Sequence, residues 1–394
     1  MSDFADYGYD ICRSGRPPAL PANLTQLDEL AARQMTAEAY GYVAGGAGTE
    51  ATIRANREAF DRRRLVPRVL RDVSAPDLSV ELFAPTGFAT RVPAPVLLGP
   101  VGVLATVHPD GELAVARAAA AVGVPLVLSL AASHSIEEVA AASGGGTRWC
   151  QFYLPADREL GVSLLARARA AGYGAIMVTL DAVTTGWRPR DLDNAYLPFL
   201  QGAGVASYVS DPVFQRAAGG PVLSWDDAMT LMANDRTFGW RDLAFIREHW
   251  EGPVLLKGIL HPDDARRAAD SGVDGIVVSN HGGRQVDGAI ATLDALPAVV
   301  DAVGDRLTVL LDSGVRTGAD VVKALVLGAR AVLIARPYAF GLALDGQDGV
   351  EHVVRCLLAE TQLTMILAGV SRASDLAGSG LVAAALCSPA HRGE

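Results

Sequence analysis

The chain has 394 residues, half of them apolar, and a formal net charge of −10. That length and composition allow one large domain or two with a sizeable core, and the acidic balance argues against nucleic acid as a partner. No uncharged apolar run reaches membrane-spanning length, and the start, Met1 to Asp6, is acidic where a signal peptide is basic, so a cytoplasmic protein without membrane attachment is expected.

Residues 1–94 carry helical patterns at 24–35 and 51–60 and a hairpin at 78–92, expected to lie across the base of the region C-terminal to them. Arg62-Arg63-Arg64 is the one basic run and reads as a solvated helix end rather than a binding patch. From residue 95 onward, short apolar runs alternate with longer alanine-rich amphipathic ones, the rhythm of βα units. Strands are expected at 95–102, 125–131, 147–154, 175–182, 253–259, 275–282, 308–314 and 331–337, with helices among them at 112–122, 160–171, 263–271 and 318–327. Eight near-equal units favour a closed (β/α)8 TIM barrel over a doubly wound sheet, with the site at the C-terminal ends of the strands. The interval 183–252, between the fourth and fifth strands, is too long for an ordinary connection. It holds Pro189, Pro198, Pro212, Gly219-Gly220-Pro221 and a short helical piece near 225–232, and reads as a lid over about 184–239, a subunit contact, or both. Residues 341–394 are expected to be helical, and the whole chain to form one domain. Cys12, Cys150, Cys356 and Cys387 have no metal-type spacing and read as buried thiols in a reducing compartment, so no metal site is expected.

The most informative stretch is Ser279-Asn280-His281-Gly282-Gly283-Arg284-Gln285, directly after the apolar run 275–278. It sets an imidazole and a guanidinium three residues apart at a strand end, with two glycines that let the backbone turn close to a ligand. A general base beside a fork that grips a carboxylate is what removing hydrogen from a 2-hydroxy acid requires. A satisfied strand-end histidine explains His281 alone but leaves the arginine and the glycines unexplained. The other strand ends agree. Gly99-Pro100-Val101-Gly102 closes the first and Ser129 lies in the second. Gln151 and Tyr153 share one face of the third, and Thr179 and Asp181 one face of the fourth. Asp312-Ser313-Gly314-Val315-Arg316 and Ala335-Arg336-Pro337 offer two arginines, backbone N–H groups and a helix start, the usual barrel location for a cofactor phosphate. No side chain accepts a hydride reversibly, so redox chemistry here needs a cofactor, and no dinucleotide fingerprint follows any strand. A phosphate-anchored flavin mononucleotide, FMN, fits better than a nicotinamide. Of 34 basic residues only Lys257 and Lys323 are lysines. Lys257 ends a strand and reads as functional; Lys323 lies in a helical pattern and reads as a surface residue.

On this heptad, and on Tyr42-Val43-Ala44-Gly45-Gly46, Gln151-Phe152-Tyr153, Gly186-Trp187-Arg188-Pro189-Arg190-Asp191 and the segment 311–318, the chain resembles the FMN-dependent 2-hydroxy-acid oxidases, most of all their lactate 2-monooxygenase branch. The resemblance implies non-covalent FMN, a small 2-hydroxy acid and O2 as reactants, and assembly as a homotetramer or homo-octamer. It implies that Arg188, Arg284 and Tyr42 bind the substrate carboxylate, that Tyr153 contacts the substrate hydroxyl, and that His281 is the base with Asp181 behind it. Lys257 is implied to lie against the flavin N1 and O2 region. Ser129, Gln151, Thr179 and Ser279 are implied to bond the ring and ribityl chain, Val101 and Gly102 to lie near N5, and the segments around Asp312, Ser313, Gly314, Arg316, Ala335 and Arg336 to hold the rest. Ala335 replaces a usual glycine. Ala131 stands where glycolate oxidases carry tryptophan, and Val183-Thr184-Thr185 is small, so the pocket admits a side chain larger than methyl. The expected outcome is oxidative decarboxylation of lactate to acetate, carbon dioxide and water. The alternative is an oxidase releasing 2-keto acid and hydrogen peroxide, with a larger or aryl acid such as mandelate as a further option.

Overall fold

All eight expected strands form in the computed structural model, which describes residues 4–218 and 237–384. Three short strands precede them: β1 (Arg63–Leu65), β2 (Val80–Leu82) and β3 (Thr90–Val92). The barrel consists of β4 (Val96–Leu98), β5 (Leu126–Leu128), β6 (Arg148–Phe152), β7 (Ile176–Thr179), β8 (Val254–Ile259), β9 (Gly275–Val278), β10 (Thr308–Leu311) and β11 (Ala331–Ile334). They close in the order β10-β11-β4-β5-β6-β7-β8-β9, and every pairing is parallel. Apart from β6, the strands are rich in Val, Ile and Leu because each is covered on both faces, by the barrel interior and by the helical ring. All but β8, which ends at Ile259 as expected, stop short of the expected ends because the polar residues there leave the ladder to form the rim.

The N-terminal extension carries α1 (Asp6–Ser14), α2 (Leu27–Gln34), α3 (Ala37–Ala44) and α4 (Ala51–Asp61). The β2–β3 hairpin plugs the base, as expected: Phe83 N–H donates to Thr308 Oγ1 at the start of β10 (2.7 Å), and its ring packs on Trp149 with centroids 5.3 Å apart. The outer helices are α5 (Gly111–Val122), α6 (Ile136–Ser143) and α7 (Arg158–Ala170) in the first half. Within the long interval lie α8 (Pro189–Asp193), α9 (Ala206–Val209), α10 (Pro212–Ala217) and α11 (Leu243–His249). The second half adds α12 (Pro262–Asp270), α13 (Thr292–Val303), α14 (Gly318–Val326) and α15 (Arg336–Leu367). The helical piece expected near 225–232 lies outside the described residues. The described part of the long interval is anchored to the body: Asp211, fully buried, accepts from Ser163 Oγ (2.8 Å) and Arg167 (3.1 Å) on α7.

Four expectations need correction. Lys323 is buried, not superficial. Its ammonium donates to the Phe60 carbonyl at the end of α4 (2.9 Å), because the N-terminal extension covers a helix face that a free barrel would expose. Arg62-Arg63-Arg64 is more than a solvated helix end: the helix stops at Asp61, the chain enters β1, and Arg62 and Arg63 both pair with Asp294. Cys12 is exposed, whereas Cys150 and Cys356 are buried; Cys387 lies outside the described residues. The C-terminal segment is not all helix. After α15, broken at Asp345 and Gly346, β12 (Val382–Ala384) pairs antiparallel with β1 and ties the end of the chain to the extension. Among the described residues no helix is long and apolar enough to cross a membrane, and no cluster of metal-ligating groups exists.

Candidate active site

The C-terminal rim encloses a cavity of about 400 Å³, in the range of cofactor and small-molecule sites. Of the site residues singled out from the sequence, all line it except Asp181 and Ser279, which stand directly behind His281. His281 follows β9 in a left-handed conformation (φ 57°), and Gly282 and Gly283 continue it (φ 67° and 76°), so the turn that presents the imidazole needs those glycines. The Nδ1 atom of His281 lies 2.8 Å from Asp181 Oδ1; the carboxylate can only accept, so Nδ1 carries the proton and Nε2 keeps its lone pair. Ser279, expected to face a ligand, is fully buried. Its hydroxyl accepts from the His281 N–H (3.1 Å) and reaches toward Asp181 Oδ2 (3.5 Å).

Lys257, at the end of β8, sits between two carboxylates, 3.7 Å from Asp181 Oδ2 and 3.6 Å from Asp312 Oδ2. Burial works against its charge, but the two carboxylates outweigh it and hold the ammonium above its ordinary range. Burial likewise works against the Asp181 charge, yet Lys257 and His281 bring its carboxyl down to about 2. His281 moves the other way: burial, helped by Lys257, pushes the imidazole below its ordinary value against the opposing pull of Asp181. The result is a neutral imidazole backed by a firmly ionised carboxylate, the protonation state of a resting base. Gly258 makes this possible. At φ 110° it follows Lys257, and a Cβ there would fall 2.7 Å from Asp181 Cβ.

Across the cavity, the Arg284 guanidinium lies over the Tyr42 ring, 5.0 Å from its centroid, and donates to the Gly45 carbonyl (2.7 Å). Burial and the neighbouring Arg188 lower its pKa to about 10. Arg188 is held from behind: Nε donates to the Arg284 carbonyl (3.1 Å) and a terminal nitrogen to Gln285 Oε1 (2.9 Å). Tyr42 and Tyr153 are both raised by burial, so both keep their phenolic protons. At the far end, burial and neighbouring arginines lower Arg316 to about 10 and Arg336 to about 9. Arginine does not give up its proton in a protein, so these shifts register an unmet demand for anions. Arg336 meets part of it with the carbonyls of Val43, Gly282 and Gly45. Part of the expected N–H cradle before α14 is taken: Arg316 N–H and Thr317 N–H both donate to Asp320 Oδ2. The two guanidinium groups, the backbone of the turn after β10 and the start of α15 face the cavity for a phosphate. On the opposite wall, Gln151 Oε1 accepts from Leu130 N–H and Ser129 Oγ, while its buried Nε2 has no partner. An orphaned donor there fits an acceptor on a bound ring.

Gln285 belongs to the site, although its sequence suggested no role. Besides Arg188 it bonds Gly186 N–H, and its Nε2 donates to the carbonyls of Asp181 and Thr184, tying the backbone behind His281 to the long interval. Its place at the end of the heptad was the only signal. Leu197, Phe199 and Tyr208 supply an apolar wall from the long interval. A Cβ on Gly102 would meet Ala131 (3.0 Å from its carbonyl oxygen, 3.2 Å from its Cβ), so crowding at this position is directed first at the end of β5.

A closed parallel barrel with an imidazole–carboxylate pair, an arginine pair and a phosphate-type end at its C-terminal rim is the framework of a barrel enzyme working with a phosphorylated cofactor. The chain belongs to the FMN-dependent dehydrogenase family, whose model matches residues 31–383, and FMN is its cofactor. It is 47% identical to the FMN-dependent alpha-hydroxy acid dehydrogenase qulF of Penicillium citrinum, over 95% of this chain and 94% of that one. It is 42% identical to the L-lactate oxidase of Lysinibacillus sphaericus (strain C3-41), covering 90% of this chain and 91% of that one. Among solved structures, mandelate oxidase superposes with a TM-score of 0.80 at 38% identity, covering 91% of this chain and 97% of that one.

Proposed function

We propose that the protein oxidises an L-2-hydroxy acid to the 2-keto acid and passes the electrons to O2, releasing hydrogen peroxide. The observation that carries this reading is the pairing, in one cavity, of a neutral His281 backed by Asp181 with the guanidinium of Arg284 beside Arg188. Bound FMN supplies the two-electron acceptor. Arg188, Arg284 and the Tyr42 hydroxyl hold the substrate carboxylate, and Tyr153 donates to the reacting oxygen. His281 Nε2 takes the hydroxyl proton, and Asp181 stabilises the imidazolium that results. Lys257 places a fixed positive charge beside the cofactor ring, where negative charge develops. Ser129, Gln151, Thr179 and the backbone of Val101 and Gly102 hold the ring. Asp312 and Ser313 line the ribityl end, and Arg316, Arg336 and the backbone of Gly314 and Ala335 hold the phosphate. Ala131 and Val183-Thr184-Thr185, facing Leu197, Phe199 and Tyr208, leave room for a substrate side chain larger than methyl. Assembly as a homotetramer or homo-octamer accompanies this reading, with sedimentation as its check.

A second outcome has its own support: oxidative decarboxylation in the site, turning lactate and O2 into acetate, carbon dioxide and water. The long interval is clamped to α7 through Asp211 and contributes to the cavity wall, which favours slow release of the keto acid. Product analysis in air, with and without catalase, separates the two. Stoichiometric keto acid and peroxide support the first, and a shortened acid that persists with catalase present supports the second. Absence of anaerobic bleaching of the bound flavin by glycolate, lactate and mandelate alike overturns both.

A further inference from the structure

A ring of buried polar groups joins the His281 turn to the turn that follows β10, and its keystone lies in neither. Asn56, on α4 of the N-terminal extension, is 2% exposed. Its Nδ2 donates to Asn280 Oδ1 (2.9 Å) and Asn280 Nδ2 donates back to Asn56 Oδ1 (2.8 Å), a reciprocal amide pair. Asn280 Oδ1 also accepts from Gly283 N–H (3.1 Å), which fixes the turn that carries His281. Asn56 Oδ1 further accepts from Thr292 N–H (3.2 Å), and Thr292 Oγ1 bonds the carbonyls of Asp312 (2.7 Å) and Ser313 (3.1 Å). The ring closes where Ser313 Oγ accepts from Gly282 N–H (2.9 Å). Next to it, Gly314 has no room for a side chain: a Cβ would lie 3.0 Å from the Asn56 carbonyl. Both turns are costly to hold, since His281 and Ser313 are non-glycine residues at φ 57° and 72°.

We propose that Asn56 is a positioning residue that couples the FMN phosphate end of the site to the base: one side chain outside the barrel sets both the grip on the cofactor and the placement of His281. This rests on the proposed function only for the role assigned to His281. The physical reason is that this network holds backbone N–H groups of one strained turn and carbonyls of the other at once, and a buried network with every member satisfied has one geometry. Loosening it lets His281 drift toward solvent, which relieves the largest cause of its lowered pKa.

The test uses the FMN-loaded protein and two variants, Asn56→Ala and Thr292→Val; the second keeps the volume and the amide pair but cuts the link to Asp312 and Ser313. Two readouts are taken: the FMN dissociation constant, from fluorescence released on dilution, and the pH dependence of diethyl pyrocarbonate modification of His281, mapped by mass spectrometry. Neither depends on which acid is the substrate, so a failure of the proposed function and a failure of this coupling are distinguishable. Both variants are expected to weaken FMN binding, Asn56→Ala by roughly tenfold or more. Both are expected to shift the His281 midpoint upward toward the ordinary imidazole value, with Thr292→Val giving the smaller effect. Folded variants in which either readout stays at wild type overturn the coupling, as does a lowered melting temperature with both readouts unchanged.

Discussion

At the scale of single residues, the site is a balance of charges around one imidazole. Lys257 and burial lower the His281 pKa, and Asp181 opposes them. Activity that depends on neutral His281 is lost as pH falls through that lowered value, so the acid limb of anaerobic flavin reduction is expected below about 6.5. Removing the charge of Lys257 with Lys257→Met moves the limb upward. Removing the charge of Asp181 with Asp181→Asn moves it downward, and stopped-flow reduction across pH reads both shifts. Limbs that move together, or not at all, contradict the assignment. His281→Ala should retain FMN yet slow reduction by roughly 10² to 10⁴, the ordinary scale of general-base loss; near-wild-type reduction in that variant rules His281 out as the base. The lysine reading also shows where sequence reasoning ends. Both lysines are buried, although Lys323 reads as a surface residue in the sequence, and only Lys257 lies on the cavity. The pattern around Lys323 could not reveal that an N-terminal segment more than 250 residues away covers it.

At the scale of elements, the barrel was legible because its strands are short apolar runs in a repeated unit, and the rim was legible because polar residues cluster where those runs end. Helix starts at 51, 111, 262 and 318 match the expected ones to within a residue. What stayed hidden comes from elements that meet the rim from elsewhere in the chain. Asn56 reads as one more polar residue on an amphipathic helix, and Gln285 as the tail of a motif, until the fold sets them against the base. The break at residues 345–346 and the final strand were hidden too, since β12 exists only by pairing with β1. One glycine connects the element scale to the chemistry. Gly258 gives β8 the irregular register after Lys257 that leaves Asp181 room to reach His281. Gly258→Ala places a methyl group against the root of the Asp181 side chain at a left-handed φ, costing about 1–3 kcal/mol in strain. The variant is expected to keep FMN, melt earlier and reduce its flavin roughly 10- to 100-fold more slowly, because a base displaced by about an ångström loses that much. A lower melting temperature with an unchanged reduction rate would leave this glycine a structural role alone, with no part in placing the base.

At the scale of the whole molecule, an acidic chain concentrates half-buried and buried positive charge in one cavity. The net charge is −10, yet Arg188, Arg284, Arg316, Arg336 and Lys257 all line the same space. Only Lys257 faces two carboxylates within 4 Å; Arg316 and Arg336 contact backbone carbonyls instead. Buried cations without counter-ions cost stability, and an anion that binds only the folded state returns it by mass action, about 2.7 kcal/mol when present at 100 times its dissociation constant. The phosphate, rather than the flavin ring, should therefore account for much of the cofactor's effect on stability. Stripped protein is expected to melt well below the FMN-loaded form, FMN to restore the loss, and riboflavin, which has the same ring but no phosphate, to restore only a minor part. Inorganic phosphate added with riboflavin should recover some of the difference, and Arg316→Ala should abolish that recovery while leaving the riboflavin effect intact. Riboflavin and FMN raising the melting temperature equally at matched saturation would mean that the anion demand of Arg316 and Arg336 is met within the protein, and that the phosphate site lies elsewhere on the rim.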